Sequence, residues 1–236
     1  GHTEQYTGFS VLSYYIQGIF PKIFGENAFG IRSSSAFAGV LTVVAFFFLS
    51  RLLFKQILIS TIITLVLATS HWHIAYSRLV IVNNWTPLFM IIILYFFFRG
   101  FLKKNYLNLF ISGILMGISL YFQYTTRVIP LIFLLFILIQ TIKNVNFFKK
   151  NYKGILLIII TAGIVFLPQA NYYFQNQNAF MSRMDTVSVF NHLPEYFERY
   201  HVDSVFGVLF WQFINTLKVF NFGGDIGFYF YAYQGG

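Results

Sequence analysis

The chain has 236 residues, of which 57% are hydrophobic and only 10% charged, and its mean hydropathy is +0.67. Soluble domains carry about 25% charged residues, so this composition excludes a water-soluble globule and points to an all-α polytopic membrane protein. Cysteine is absent, which excludes disulfides and thiolate metal sites, and the net charge of +9 has to be located before it is interpreted.

In chain order, the opening "GHTEQYTG" is polar and lacks an initiator Met or a signal-peptide pattern. With the abrupt "YAYQGG" finish, it reads as an internal piece of a longer protein. The segment to about residue 30 contains "YTGFSVLSYYIQGIFPKIFG", apolar but interrupted by Gly and Pro. It is too broken to span, so it predicts a helix lying at the membrane interface.

Charge-free runs then predict about six spans, at 33–50, 56–75, 79–98, 106–125, 128–142 and 154–171. Small residues at Ser35 and Gly39, and at Gly113 and Gly117, suit close helix packing in lipid. Residues 1–171 thus form the transmembrane region. Residues 172–236 form an outer-face segment, polar at first and then apolar in "SVFGVLFWQFINTLKVFNF". Gln212, Asn215 and Lys218 within that run favour a surface-lying or re-entrant helix over a further span.

Charge placement fixes the orientation. The links after spans one, three and five hold Arg51 and Lys55; Arg99, Lys103 and Lys104; and Lys143, Lys149, Lys150 and Lys153. These are nine of the 16 basic residues, and no acid accompanies them. All seven acids fall on the opposite side, among the other seven basic residues. The excess of +9 belongs wholly to one set of links, which the positive-inside rule places in the cytoplasm. It is a topology signal, and no nucleic-acid partner is expected.

On the outer side, "SHWHIAYSRLVIVNNWTP" at 70–87 carries the densest polar chemistry. Arg78 and Arg127 occupy two successive outer turns, where topology disfavours cations. A guanidinium there either snorkels to lipid phosphates or pairs its forked donors with the oxygens of a substrate phosphate. His71 and His73 are two apart, pointing to different helix faces, so they do not make the paired spacing that zinc uses. They fit an interfacial belt, or a contact to a sugar hydroxyl or phosphate. Glu4 and Asp225 are outer carboxylates, either solvated or in the place of a general base or substrate contact. The "NWT" at 84–86 matches a glycosylation sequon but abuts a span. No nucleotide-binding, zinc-protease or nucleophile-elbow motif occurs, and no metal or cofactor is called for.

The ordered pieces "IFGENAFGIRSSSAFAGVLTVVAFFFLSRLLF", "LATSHWHIAYSR", "PLFMIIILYFFFRGF" and "GILMGISLYFQYTTRVIPL" resemble the multispanning GT-C glycosyltransferases. The likeness is to the PMT-like group of protein O-mannosyltransferases and aminoarabinose transferases, over residues 8–171. The later "NTLKVFNFGGD" is similar to the outer segment that follows in such enzymes. The resemblance implies transfer of a sugar from a polyprenyl-phosphate donor to a protein, lipid or glycan acceptor on the non-cytoplasmic face. An acidic residue of the first outer loop acts as base, a role that would fall to Glu4, and basic residues hold the lipid phosphate, here Arg78 and Arg127. The family's acidic motif and its Pro-Pro before the interfacial helix are not matched; "FSVLSYY" stands in place of the latter.

A non-enzymatic transporter or lipid flippase is the competing reading. It would want ionisable groups within the spans, and these runs have them only at their ends. Lys-, Asn-, Phe- and Ile-heavy usage is that of an AT-rich genome, which fits a prokaryotic cytoplasmic membrane.

Overall fold

The structure is a computed structural model and describes residues 11–80, 82–122, 124–176 and 188–219. It is an all-helical membrane bundle, with no strand among the described residues. Two compact units divide at Asn176 and Gln177.

In the first unit, α1 (Val11–Phe24) and α2 (Ala28–Phe54) are joined by a short link. Next come α3 (Ile57–Thr69), α4 (His71–Arg78), α5 (Trp85–Lys103), α6 (Tyr106–Ser119), α7 (Val128–Lys143) and α8 (Asn146–Gln175). Local chemistry sets many of these ends. Asn27 caps α2 by accepting from the Gly30 N–H at 2.9 Å, and Asn105 caps α6 by accepting from Asn108 at 3.2 Å. Helices α2 and α5 end on Lys55 and Lys104, both left-handed, with φ of 59° and 49°. A lysine there lacks the freedom of the glycine that usually fills this place. The long cationic side chains still sit at the favourable pole of the helix dipole.

The tight links 55–56, 104–105 and 144–145 make the adjoining helices antiparallel and gather the basic residues at one end. The packing agrees. Phe101 of α5 stacks with Phe147 of α8, and Gly100 and Gly154 both receive the Leu109 side chain of α6. Helices α2, α5, α6 and α8 pack in that sequence, with α1, α3 and α4 against α2 and α7 against α8.

The core lies between α5, α6, α7 and α8. Phe97 is buried there, its ring 4.3 Å from that of Phe133 and 4.6 Å from that of Phe101. The α6–α8 seam depends on small residues, as the sequence pattern expects. A Cβ at Gly113 would overlap the Thr161 hydroxyl, and one at Gly117 would meet Val165 at 2.7 Å.

Among the described residues, four helices are long and apolar enough to cross a membrane, and a bent pair, taken as one span, makes a fifth. Three of the six expected spans differ in detail. The run at 56–75 breaks at Ser70, where extended backbone separates α3 from α4 by a 53° bend. After a 3₁₀ turn at Val82–Asn84, the run at 79–98 becomes α-helical only at Trp85, because Pro87 is tolerated in a first turn but not further inside. The run at 106–125 ends as a helix at Ser119, so α6 has only 14 residues, about 21 Å at the usual rise.

In the second unit, a 3₁₀ turn (Val189–His192) leads into α9 (Leu193–Tyr200) and then α10 (Val205–Val219). Tyr200 stacks on Tyr196 within α9 and on Trp211 of α10. Val208 is fully buried, while Phe206 and Phe213 stand exposed.

Candidate functional site

Two polar corners close the end of the first unit opposite the basic links. The first runs from Ser70 to Thr86. Its α4 lies flat on α2 because Gly39 has no side chain; a Cβ there would overlap the Ser77 hydroxyl. His73 donates from Nε2 to the Gly39 carbonyl at 3.2 Å, which leaves Nδ1 as the acceptor of the neutral ring. The buried Asn84 carboxamide donates to the carbonyls of Tyr76, at 2.5 Å, and Leu79, at 3.1 Å. One side chain thereby satisfies the last carbonyls of α4 and fixes the chain's return to α5. This nitrogen is the one a glycan would need, and it is spent inside the fold, so the sequon reading of 84–86 fails. His73, Tyr76, Ser77, Asn83, Asn84, Gly39, Thr42 and Pro87 enclose a pocket of about 180 Å³.

The second corner follows α6. The Thr126 hydroxyl donates to the Ser119 carbonyl at 2.7 Å and is fully buried, which fixes the 3₁₀ turn Tyr124–Arg127 against the end of α6. Arg127 is half-buried and occupies the N-cap position of α7. Its Nη2 donates to the Tyr173 hydroxyl at 3.3 Å, and its Cζ lies 5.4 Å from the centre of the Tyr173 ring. Gln169, one turn before Tyr173 in α8, donates from Nε2 to the same hydroxyl at 2.8 Å. Pro168 has no N–H for the Ile164 carbonyl, and the Tyr121 hydroxyl donates to the neighbouring Val165 carbonyl at 2.9 Å.

The two arginines differ in surroundings. Arg78 is exposed and is the last residue of α4 rather than part of a tight turn. There the helix dipole favours a cation. Arg127 sits at the opposite pole of its helix, where a cation costs roughly 0.3–1 kcal/mol. His71 is exposed as the first residue of α4. The corners are joined by a hydrogen bond between the hydroxyls of Thr86 and Thr125 and by the contact of Trp85 with Phe122. Glu4 and Asp225 lie outside the described residues.

Residues 10–172, more than two thirds of the chain, match the family described as dolichyl-phosphate-mannose-protein mannosyltransferase. The chain belongs to this family. Its members are membrane glycosyltransferases of the GT-C type, drawing on a lipid-linked sugar donor and an acceptor. Membership and the apolar helices together make this chain a multi-pass membrane glycosyltransferase. No curated protein and no solved structure matches it.

Both arginine corners lie within the matched segment, and Tyr173 is the first residue past its end. Sequence reasoning missed Asn84, Gln169 and Tyr173. The available signal was a polar i, i+4 pair directly after a proline in an otherwise apolar span.

Proposed function

We propose that this chain transfers a sugar from a polyprenyl-phosphate donor to an acceptor on the non-cytoplasmic face of the membrane, with Arg127 and Arg78 taking the donor phosphate. Arg127 carries the reading. It is a cation held by a hydrogen bond and an aromatic face at the unfavourable pole of a helix, at the end opposite the basic links. When the anomeric C–O bond breaks, the departing phosphate gains negative charge. A guanidinium already fixed there stabilises that charge more in the transition state than in the ground state.

Arg78 adds a second, exposed cation next to the same rim. In this scheme His71 and His73 are substrate contacts on different faces of α4, Glu4 removes the acceptor proton, and Asp225 contacts substrate. Outside the substrate site, the α9–α10 segment lies on the outer membrane surface, since Gln212, Asn215 and Lys218 interrupt the otherwise apolar α10.

The test uses membranes carrying the full-length protein and a panel of polyprenyl-phosphate sugars, with released polyprenyl phosphate as the readout. Arg127→Ala is expected to lower release on the order of 10²-fold, the scale of losing one preorganised oxyanion donor. Arg78→Ala should lower it less. Wild-type release from both variants, correctly inserted, would overturn the assignment.

A further inference from the structure

We infer that Tyr173 and Gln169 are positioning residues that hold the Arg127 guanidinium in the orientation its phosphate needs; this rests on the phosphate reading of Arg127 above. The Tyr173 hydroxyl oxygen lies within hydrogen-bond reach of both Arg127 Nη2, at 3.3 Å, and Gln169 Nε2, at 2.8 Å. The tyrosine is therefore held from its own helix by Gln169 and holds the arginine in turn, while its ring lies against the guanidinium. These contacts bring together residues 46 positions apart, from the start of α7 and the last turns of α8.

Gln169 is otherwise hard to explain. Its Oε1 is buried and finds no partner among the described residues, although its Nε2 is bonded. An orphaned buried carbonyl is a cost that an apolar side chain of the same shape would avoid. Turning the carboxamide over would let Oε1 accept from the Tyr173 hydroxyl and would orphan the amine instead. Either way the tie to Tyr173 persists and one polar group is sacrificed. The residue makes sense where fixing the tyrosine matters more than satisfying the amide.

Phosphate pairing explains why such a hold is needed. A free arginine has several rotatable bonds, and pairing both oxygens of a phosphate demands one orientation of its planar fork. The aromatic face limits tilt of the guanidinium and the hydroxyl limits its rotation.

The test follows donor turnover in membranes with the full-length protein, together with insertion and thermal stability of each variant. Tyr173→Phe keeps the ring and removes the hydroxyl. It is expected to cut kcat/KM for the donor about 10-fold without a matching loss of stability. Gln169→Glu sets a carboxylate against the Tyr173 hydroxyl that the guanidinium also contacts. It is expected to hold or raise stability while lowering turnover, because the carboxylate competes with the phosphate. Tyr173→Phe made in an Arg127→Lys background should add little, since lysine has no fork to orient.

The result that overturns the inference alone is a loss in Arg127→Ala with wild-type turnover in Tyr173→Phe and Gln169→Glu. A Tyr173→Phe loss that multiplies fully with Arg127→Lys, or that tracks thermal stability, also overturns it by showing a merely structural role. Full turnover in Arg127→Ala overturns the phosphate reading, and this inference with it. Should Tyr173→Phe fail to insert, Gln169→Met and Gln169→Glu decide by the same criteria.

Discussion

Thr86 and Thr125 share a hydrogen bond, hydroxyl to hydroxyl at 3.1 Å, across 39 residues of sequence. It joins the start of α5 to the 3₁₀ turn before α7, and so ties the corner that follows Arg78 to the corner that bears Arg127. The bond is exposed and should contribute no more than about 1 kcal/mol to stability. Thr86→Val and Thr125→Val are expected to leave thermal stability nearly unchanged while lowering donor turnover a few-fold. The double variant should be no worse than either single one, because one shared bond is lost in all three. Fully multiplicative losses would mean the corners act independently.

Gly113 tests the tightest seam of the bundle. Gly113→Ala forces a methyl group into the Thr161 hydroxyl and toward the Ile158 backbone, at an expected cost of about 1–3 kcal/mol. Gly163→Ala, on the same pair of helices but with nothing within 4 Å, should be silent. Thermal unfolding in detergent separates the two, and equal melting temperatures would contradict the packing.

Asn84 should be structural and unglycosylated. Asn84→Ala removes the side-chain donor from the Leu79 carbonyl and leaves the Tyr76 carbonyl with the Leu79 N–H, at an expected cost of about 1–3 kcal/mol. Expression in a glycosylating host should give no mass shift at this position. A glycan found there would require the α4–α5 return to be open.

The absence of cysteine offers a clean test of sidedness. Glu26→Cys, at the end with the arginines, should react with a membrane-impermeant thiol reagent in intact cells. Lys104→Cys, at the basic end, should react only after permeabilisation. The reverse pattern would place the arginine corners in the cytoplasm and remove the proposed site of transfer.

Helix α10 has 15 residues, about 22 Å, which is short for a bilayer of about 30 Å. Its exposed Phe206 and Phe213 need an apolar environment. A spin label at Phe213→Cys should be quenched by lipid-soluble oxygen more than by a water-soluble nickel complex. Preferential quenching from water would remove the surface-helix proposal.

The hydropathy pattern exposed the helical class and the basic end because both are sums over many residues. It could not expose the bend at Ser70, since 71–78 continues with Trp, Ile, Ala and Tyr and keeps enough apolar character to extend a run. The early end of α6 was hidden for a similar reason: Leu120, Tyr121 and Phe122 are as apolar as the helix before them. Arg78 and Arg127 stood out by violating the charge asymmetry. Asn84 and Tyr173 did not, because their importance lies in which carbonyl or cation they reach. Those partners are set by tertiary packing, 46 residues away in the case of Arg127 and Tyr173.

The shortness of α6 reaches beyond the protein itself. Thr126 fastens the Arg127 turn level with Ser119, so the arginine stands roughly 21 Å from the start of that helix, some 9 Å short of a typical hydrocarbon width. A bilayer of typical width that began at the basic end of α6 would have to thin on this flank, drawing nearby headgroups down toward the guanidinium. A thin bilayer already matches that depth, whereas a thick one must deform further. On the proposed reading of Arg127, the acyl-chain length of the host membrane is then expected to govern how readily a lipid-borne phosphate arrives.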